Sequence, residues 1–203
     1  MSGRKKQLIL ILGGARSGKS NFAQALAEKM GRQVTFLATA QAGDEEMRRR
    51  IEAHRLARPA HWRTIEAPRR VAEALEAEAD QAEVVLLDCM ALLIANLLLE
   101  GGEEAPEEEA CSRATAEVAA LLKAFAQGAA DLIVVSNEVG LGVVPPYPLG
   151  RAYRDLLGRI NQTLAAAADQ VYWLMAGLPV EIKASGLAGA AMPRGEGKKD
   201  VEN

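Results

Sequence analysis

Apolar residues along this chain fall in short runs that alternate with amphipathic stretches. QLILIL, residues 7–12, stops at Gly13-Gly14 and reads as a buried strand feeding a turn. Residues 18–30 read as a helix that ends at Gly31. QVTFLAT, 33–39, is rich in β-formers and reads as a second strand. Asp44 opens a helix whose first turn carries Glu45 and Glu46, which suit the positive end of a helix dipole. Pro59 ends it, because the residue before a proline avoids the α region. A short helix is expected over 71–79, a strand at EVVLLD, 83–88, and a strongly apolar, buried helix over 90–99.

Residues 100–109 hold six glutamates, two glycines and a proline, and read as a solvated acidic loop entering a helix over about 107–127. DLIVVS, 131–136, is the next strand. NEVGLGVVPPYPLG, 137–150, is a loop long enough to be functional or disordered. A helix over 149–167 and strands at QVYWLMA, 170–176, and PVEIK, 179–183, complete the ordered pattern. Residues 184–203 are small, polar and charged, and read as a disordered tail. Strand and helix alternate throughout, so the expected fold is α/β, a mostly parallel sheet with helices on both faces. Residues 1–183 read as a single domain without internal repeats.

Composition narrows the function more than the fold. A chain of 203 residues, 49% hydrophobic and 25% charged, is an ordinary globular protein. A net charge of -3 and a pI near 5.6 argue against a nucleic-acid binder. The basic residues are nevertheless concentrated: residues 48–70 hold eight arginines against Glu52 and Glu66. Such a local excess suits a polyphosphate ligand; the alternative is a solvated basic face. Cys89 and Cys111 have no paired-cysteine spacing, which fits a reducing compartment and no zinc site. With no signal peptide and no apolar run of membrane-spanning length, a soluble cytoplasmic protein is expected.

GGARSGKS, 13–20, fits the phosphate-loop pattern G-x-x-x-x-G-K-[ST], between a strand and a helix as that pattern requires. Gly13, Gly14 and Gly18 let backbone N–H groups converge on phosphate oxygens, with Ala15, Arg16 and Ser17 between them. Lys19 should reach the β and γ phosphates, and Ser20 should hold Mg²⁺ through its hydroxyl. Asp88, ending an apolar strand, has the form of the second metal-side carboxylate, although an acid there can also cap a helix. Glu138, after the next strand, is a weaker candidate for orienting a nucleophile. These features define a nucleotide site and leave open a motor, a switch or a kinase.

The only two histidines, His54 and His61, lie in RRRIEAHRLARPAHW, 48–62. On a helix over 44–58, Met47, Ile51 and His54 share one stripe, with Arg50 and Arg58 a turn either side of the imidazole. Read as an inward stripe, this places His54 either as a satisfied core histidine or as a nucleophile among phosphate-binding guanidiniums. His61, beside Trp62, reads as structural.

Together GGARSGKS, ATAQ at 38–41, DEEMRRRIEAHRLARPAHWRTIE at 44–66, LLDC, SNEVGLGVVP at 136–145 and RAYRDLLGRINQTLAAAADQVYWLMAGLPVEIK at 151–183 resemble one family. It is the bifunctional adenosylcobinamide kinase / adenosylcobinamide-phosphate guanylyltransferase family of cobalamin biosynthesis. The likeness runs from about residue 8 to 183. The resemblance implies a RecA-like P-loop NTPase fold and a homotrimer. It also implies two reactions: phosphorylation of adenosylcobinamide with ATP or GTP, then transfer of GMP from GTP to the phosphate through a GMP–histidine intermediate. The matching histidine is His54. Implied nucleotide contacts are Gly13 through Ser20, Ala38, Thr39 and Ala40, Arg55, Leu56, Ala57 and Arg58, Glu66 and Asp88. Asp88 stands where a well-known member has glutamate, and Ala53 where some members have a second histidine. A P-loop switch, or a kinase lacking the transferase step, remains an alternative at this point.

Overall fold

The structure, a computed structural model, describes residues 5–31, 33–56, 58–78, 81–100 and 107–183, apart from the Arg50 side chain. Its elements are β1 (Leu8–Gly13), α1 (Lys19–Met30), β2 (Val34–Ala38), α2 (Glu45–Leu56), β3 (Arg63–Glu66), α3 (Val71–Ala77) and β4 (Val84–Asp88). They continue with α4 (Met90–Leu98), α5 (Glu107–Gln127), β5 (Asp131–Val135), α6 (Pro148–Ala167), β6 (Gln170–Met175) and β7 (Leu178–Lys183). The disordered tail expected at 184–203 lies outside the described residues, as do 101–106 of the acidic loop.

All strands join one seven-stranded sheet in the order β3-β2-β4-β5-β1-β6-β7. Neighbours pair in parallel except β7, which returns antiparallel on β6. The mostly parallel α/β fold expected from the sequence is therefore the fold observed, with β5 between the P-loop strand β1 and the acidic strand β4. Every residue of β1, β2 and β5 is buried. Strands covered on both faces must be apolar on both, which is why QLILIL, VVLLD and DLIVV read as unbroken runs rather than alternations. α1 lies across β1, β5 and β4, while α3, α4, α5 and α6 pack against one another as a second group.

Two expectations need correction. The first is an omission: RTIE, residues 63–66, is a strand. It is short, lies at the sheet edge, and has only Ile65 as a half-buried apolar residue, so it carries no periodic signal. What anchors it is polar. Glu78 is buried at the end of α3, accepts a 2.8 Å hydrogen bond from the Thr35 hydroxyl of β2, and lies 3.1 Å from the Arg63 guanidinium. The second concerns α2. No described residue of α2 is buried, and Met47 and Ile51 are only half-buried. Its stripe of Met47, Ile51 and His54 faces a cleft, not the core. Asp44 caps the helix by accepting the Met47 N–H at 2.7 Å, and Glu45 pairs with Arg48 and Arg49 at 2.7 and 3.6 Å. Such local pairs stabilise a helix by only about 0.2–0.5 kcal/mol each.

Leu86, at the middle of β4 and fully buried, tests the core directly. Leu86→Ala should cost about 2–5 kcal/mol, read as a lower midpoint in urea denaturation with the slope unchanged. A variant within experimental error of the parent would mean β4 is not a central strand.

Candidate active site

Parallel strands deliver their carboxyl ends to one edge of a sheet, where ligands of open α/β folds bind. Here the register sets Gly13 beside Leu174, Ala38 between Glu66 and Asp88, and Asp88 beside Val135. Side chains two apart on a strand, or paired across strands, share a face. Phe36 and Ala38 of β2, Thr64 and Glu66 of β3 and Asp88 of β4 therefore floor one cavity of about 560 Å³. The methyl group of Ala38 leaves the space between the two carboxylates open.

The phosphate loop walls this cavity. Gly13 admits no side chain, since a Cβ there would meet the Leu174 carbonyl oxygen at 2.5 Å and Ser17 Oγ at 2.7 Å. Gly18 has φ +93°, in the left-handed region that suits glycine, and sits against Gly177 of the β6–β7 turn. The Gly177 N–H donates to the Ser17 carbonyl at 3.0 Å, so that turn braces the loop from behind. α1 starts at Lys19 without a side-chain cap or an acid in its first turn. Its N-terminal amides and dipole are left for an anion. Lys19 is buried and donates to the Gly14 carbonyl at 2.6 Å. Burial pulls its pKa down, opposed by Cys89 and Asp88. A phosphate would supply the counter-charge that burial makes valuable.

Ala15, Arg16, Ser17, Gly18, Lys19 and Ser20 line the cavity on the loop side. Ala38, Ala40, Glu66 and Asp88 line it at the strand ends, and His54, Arg55 and Arg58 line it from α2 and the turn after it. Arg58 lies over Phe36, with its Cζ 3.5 Å from the ring centroid. Burial lowers the Arg58 pKa; Asp88 and Glu66 on either side raise it, and Arg55 lowers it. Its Nε is buried without a hydrogen-bond partner. A stacked guanidinium of this kind is fixed in direction before any ligand arrives.

Other residues fall elsewhere. Gly13 and Gly14 shape the loop without lining the cavity. Thr39 is wholly buried, and its hydroxyl donates to the Cys89 carbonyl and accepts the Cys89 N–H, both at 2.8 Å. Its side chain is turned into the interior. Leu56 is 81% exposed and outside the cavity, and Ala57 lies outside the described residues. The Glu138 N–H donates to the Gly13 carbonyl, and its carboxylate bonds Gly140; its neighbour Asn137 is the one that reaches the cavity. His61 is exposed next to buried Trp62. Phe36, Thr64 and Asn137 were not foreseen. Phe36 and Thr64 could have been found by counting back two residues from Ala38 and Glu66 once β3 is recognised.

Cys89 also borders the cavity but is no nucleophile. Burial, reinforced by Asp88, pushes its pKa up to about 12, so the thiol stays protonated. A divalent cation has a better prospect. Among the described residues no three His, Cys, Asp or Glu side chains cluster to hold a metal, but magnesium needs no such cage. The Ser20 hydroxyl and the Asp88 carboxylate border one cavity. Two hard oxygen donors, completed by water and phosphate oxygens, fit Mg²⁺.

These features define a P-loop protein whose phosphate loop and His54 line one cavity. The chain belongs to the family described as cobinamide kinase / cobinamide phosphate guanyltransferase, whose model matches residues 9–182. It is 45% identical over 181 residues to the bifunctional adenosylcobalamin biosynthesis protein CobU of Escherichia coli K12, covering 87% of this chain and 99% of that protein. It is 46% identical over 174 residues to the corresponding CobP of Pseudomonas aeruginosa, covering 86% and 96%. The CobU of Salmonella typhimurium is 44% identical over 181 residues, covering 87% and 99%. A solved structure of the RadB recombinase matches at 13% identity with a TM-score of 0.43, over 82% of this chain and 73% of that one, too loosely to argue from.

The raised Cys89 pKa gives a chemical check. At pH 8 the folded protein should leave Cys89 unalkylated by iodoacetamide, and urea should expose it, as read by peptide mass spectrometry. Equal labelling rates in both states would contradict the buried, protonated thiol.

Proposed function

We propose that this chain performs both reactions its family is named for, using the one cavity at the sheet edge. In the first, the aminopropanol hydroxyl of adenosylcobinamide attacks the γ-phosphorus of ATP or GTP. The O–P bond to the new phosphate forms, the bond to the β-phosphate oxygen breaks, and the nucleoside diphosphate and a proton leave. In the second, an unprotonated ring nitrogen of His54 attacks the α-phosphorus of GTP and expels pyrophosphate. A phosphate oxygen of adenosylcobinamide phosphate then attacks the same phosphorus, breaks the P–N bond, and leaves as adenosylcobinamide-GDP. Covalent catalysis thus divides one transfer into two displacements.

The observation that carries this reading is that His54 and the P-loop Lys19 line the same cavity. An imidazole opposite the phosphate loop supplies the nucleophile that guanylyl transfer needs. The residue roles follow from position. The loop amides and the α1 N-terminus hold the polyphosphate, Lys19 bridges its outer phosphates, and Arg55 and Arg58 balance charge on the α-phosphate side. Mg²⁺ would be held by Ser20 and Asp88 and would neutralise phosphate charge. Glu66, across Ala38 from Asp88, is placed to contact the nucleotide. The implied homotrimer and a cytoplasmic location belong to the same proposal. No described helix is long and apolar enough to cross a membrane.

GTP labelled at the α-phosphate should leave acid-labile, alkali-stable label on the denatured protein, and His54→Ala should abolish it. Undiminished label in His54→Ala would transfer the role to another side chain; label absent from the parent protein would remove the transferase step. Lys19→Ala should lower the kinase rate roughly 10²–10³-fold, the scale of losing one preorganised charge contact. A near-parental rate from γ-labelled nucleotide would mean the phosphoryl transfer occurs elsewhere.

A further inference from the structure

The carboxylates of Asp88 and Glu66 stand at the ends of two strands that do not touch each other; β2 lies between them. Beyond the last ladder bonds, something must fix their spacing. The backbone supplies part: the Ala67 N–H donates to the Ala38 carbonyl at 2.8 Å, and the Thr39 N–H to the Asp88 carbonyl at 3.3 Å. The rest comes from two side chains. Thr39 grips Cys89 by both its N–H and its carbonyl. Asn96, on α4, gives one amide hydrogen to the Thr39 carbonyl at 2.8 Å and the other to the Pro68 carbonyl at 2.9 Å. The exits of β2 and β3 are thereby joined at one amide nitrogen, and that of β4 is tied to them through the Thr39 hydroxyl.

We propose that Asn96 is a positioning residue that, through Thr39, holds Asp88 and Glu66 at a set separation in the nucleotide cavity. This rests on the reading of that cavity as the Mg²⁺–nucleotide site. The chemistry explains the residue type. A primary amide offers two donors on one planar nitrogen without bringing a charge. Aspartate has no donor when ionised, and leucine would leave two carbonyls unpaired. α4 is a suitable mount, because it starts at Met90, directly after Cys89, and Met90, Leu93 and Ile94 anchor it in the core. Thr39 accordingly acts from behind the cavity wall, as a link between Asn96 and the strand carrying Asp88.

The test uses the full chain and N-methylanthraniloyl-GTP, whose fluorescence reports binding without turnover. Mg²⁺ is titrated at fixed nucleotide, and affinity is measured separately in EDTA. Asn96→Ser and Thr39→Val should raise the Mg²⁺ concentration at half-saturation about tenfold or more, the scale seen when groups behind a metal ligand are lost, and leave the EDTA affinity unchanged. Thr39→Ser, which keeps the hydroxyl, should restore the parental value relative to Thr39→Val. A folded Asn96→Ser with parental Mg²⁺ dependence would overturn the proposal, as would an equal loss of affinity in EDTA. Should Asn96→Ser fail to fold, the Thr39→Val and Thr39→Ser pair decides in the same way. Asp88→Asn separates the two layers. If it leaves Mg²⁺ dependence intact, the metal reading of the cavity fails; if only Asp88→Asn responds, the clamp fails and that reading stands.

Discussion

Strands that run in the same direction must end on the same side. The site residues at the strand ends are a consequence of that constraint. Six parallel strands bring Gly13, Ala38, Glu66, Asp88, Val135 and Leu174 to one edge, in a line set by hydrogen-bond register. The buried interior of the sheet makes that line rigid, since β1, β2 and β5 have no exposed residue along which to slip. The glycine at the end of β1 then turns the chain without a side chain to obstruct it, and α1 opens toward the space so formed. Phosphate recognition here is first a matter of backbone direction and only then of Lys19.

Much of this was legible in the sequence because the same physics wrote both. A strand covered on both faces has to be an apolar run, so β1, β4 and β5 announce themselves. A backbone that wraps a phosphate has to have glycines at set intervals, so the loop does too. What was not legible follows equally from the physics. β3 gains its place from Thr35, Arg63 and Glu78, polar contacts between residues far apart in sequence, which leave no periodic trace. α2 has a helical stripe that looks like a core face, but periodicity tells only that residues share a side, not what that side meets. Thr39 shows a similar limit: a residue between two cavity-lining alanines must point the other way, as strand alternation demands.

The cavity combines two kinds of wall. On one side Ser17, Lys19, Phe36 and Ala38 are buried, and Arg58 lies over Phe36. The opposite wall, α2, brings His54 and Arg55 and is held by a cap and surface ion pairs. Charge alternates across the space, with Lys19, Arg55 and Arg58 facing Asp88 and Glu66. On the proposed reading, a triphosphate would meet these cations on one side and the Asp88 carboxylate and Ser20 hydroxyl on the other.

The exposure of α2 has a thermodynamic meaning. Because none of its described residues is buried, the helix that bears His54 adds little to the free energy holding the rest of the molecule together. The histidine therefore sits on a part whose own equilibrium is separable from global unfolding. On the proposed mechanism, a nucleotidyl group on His54 would add its charge and bulk to an outer helix and not to the sheet.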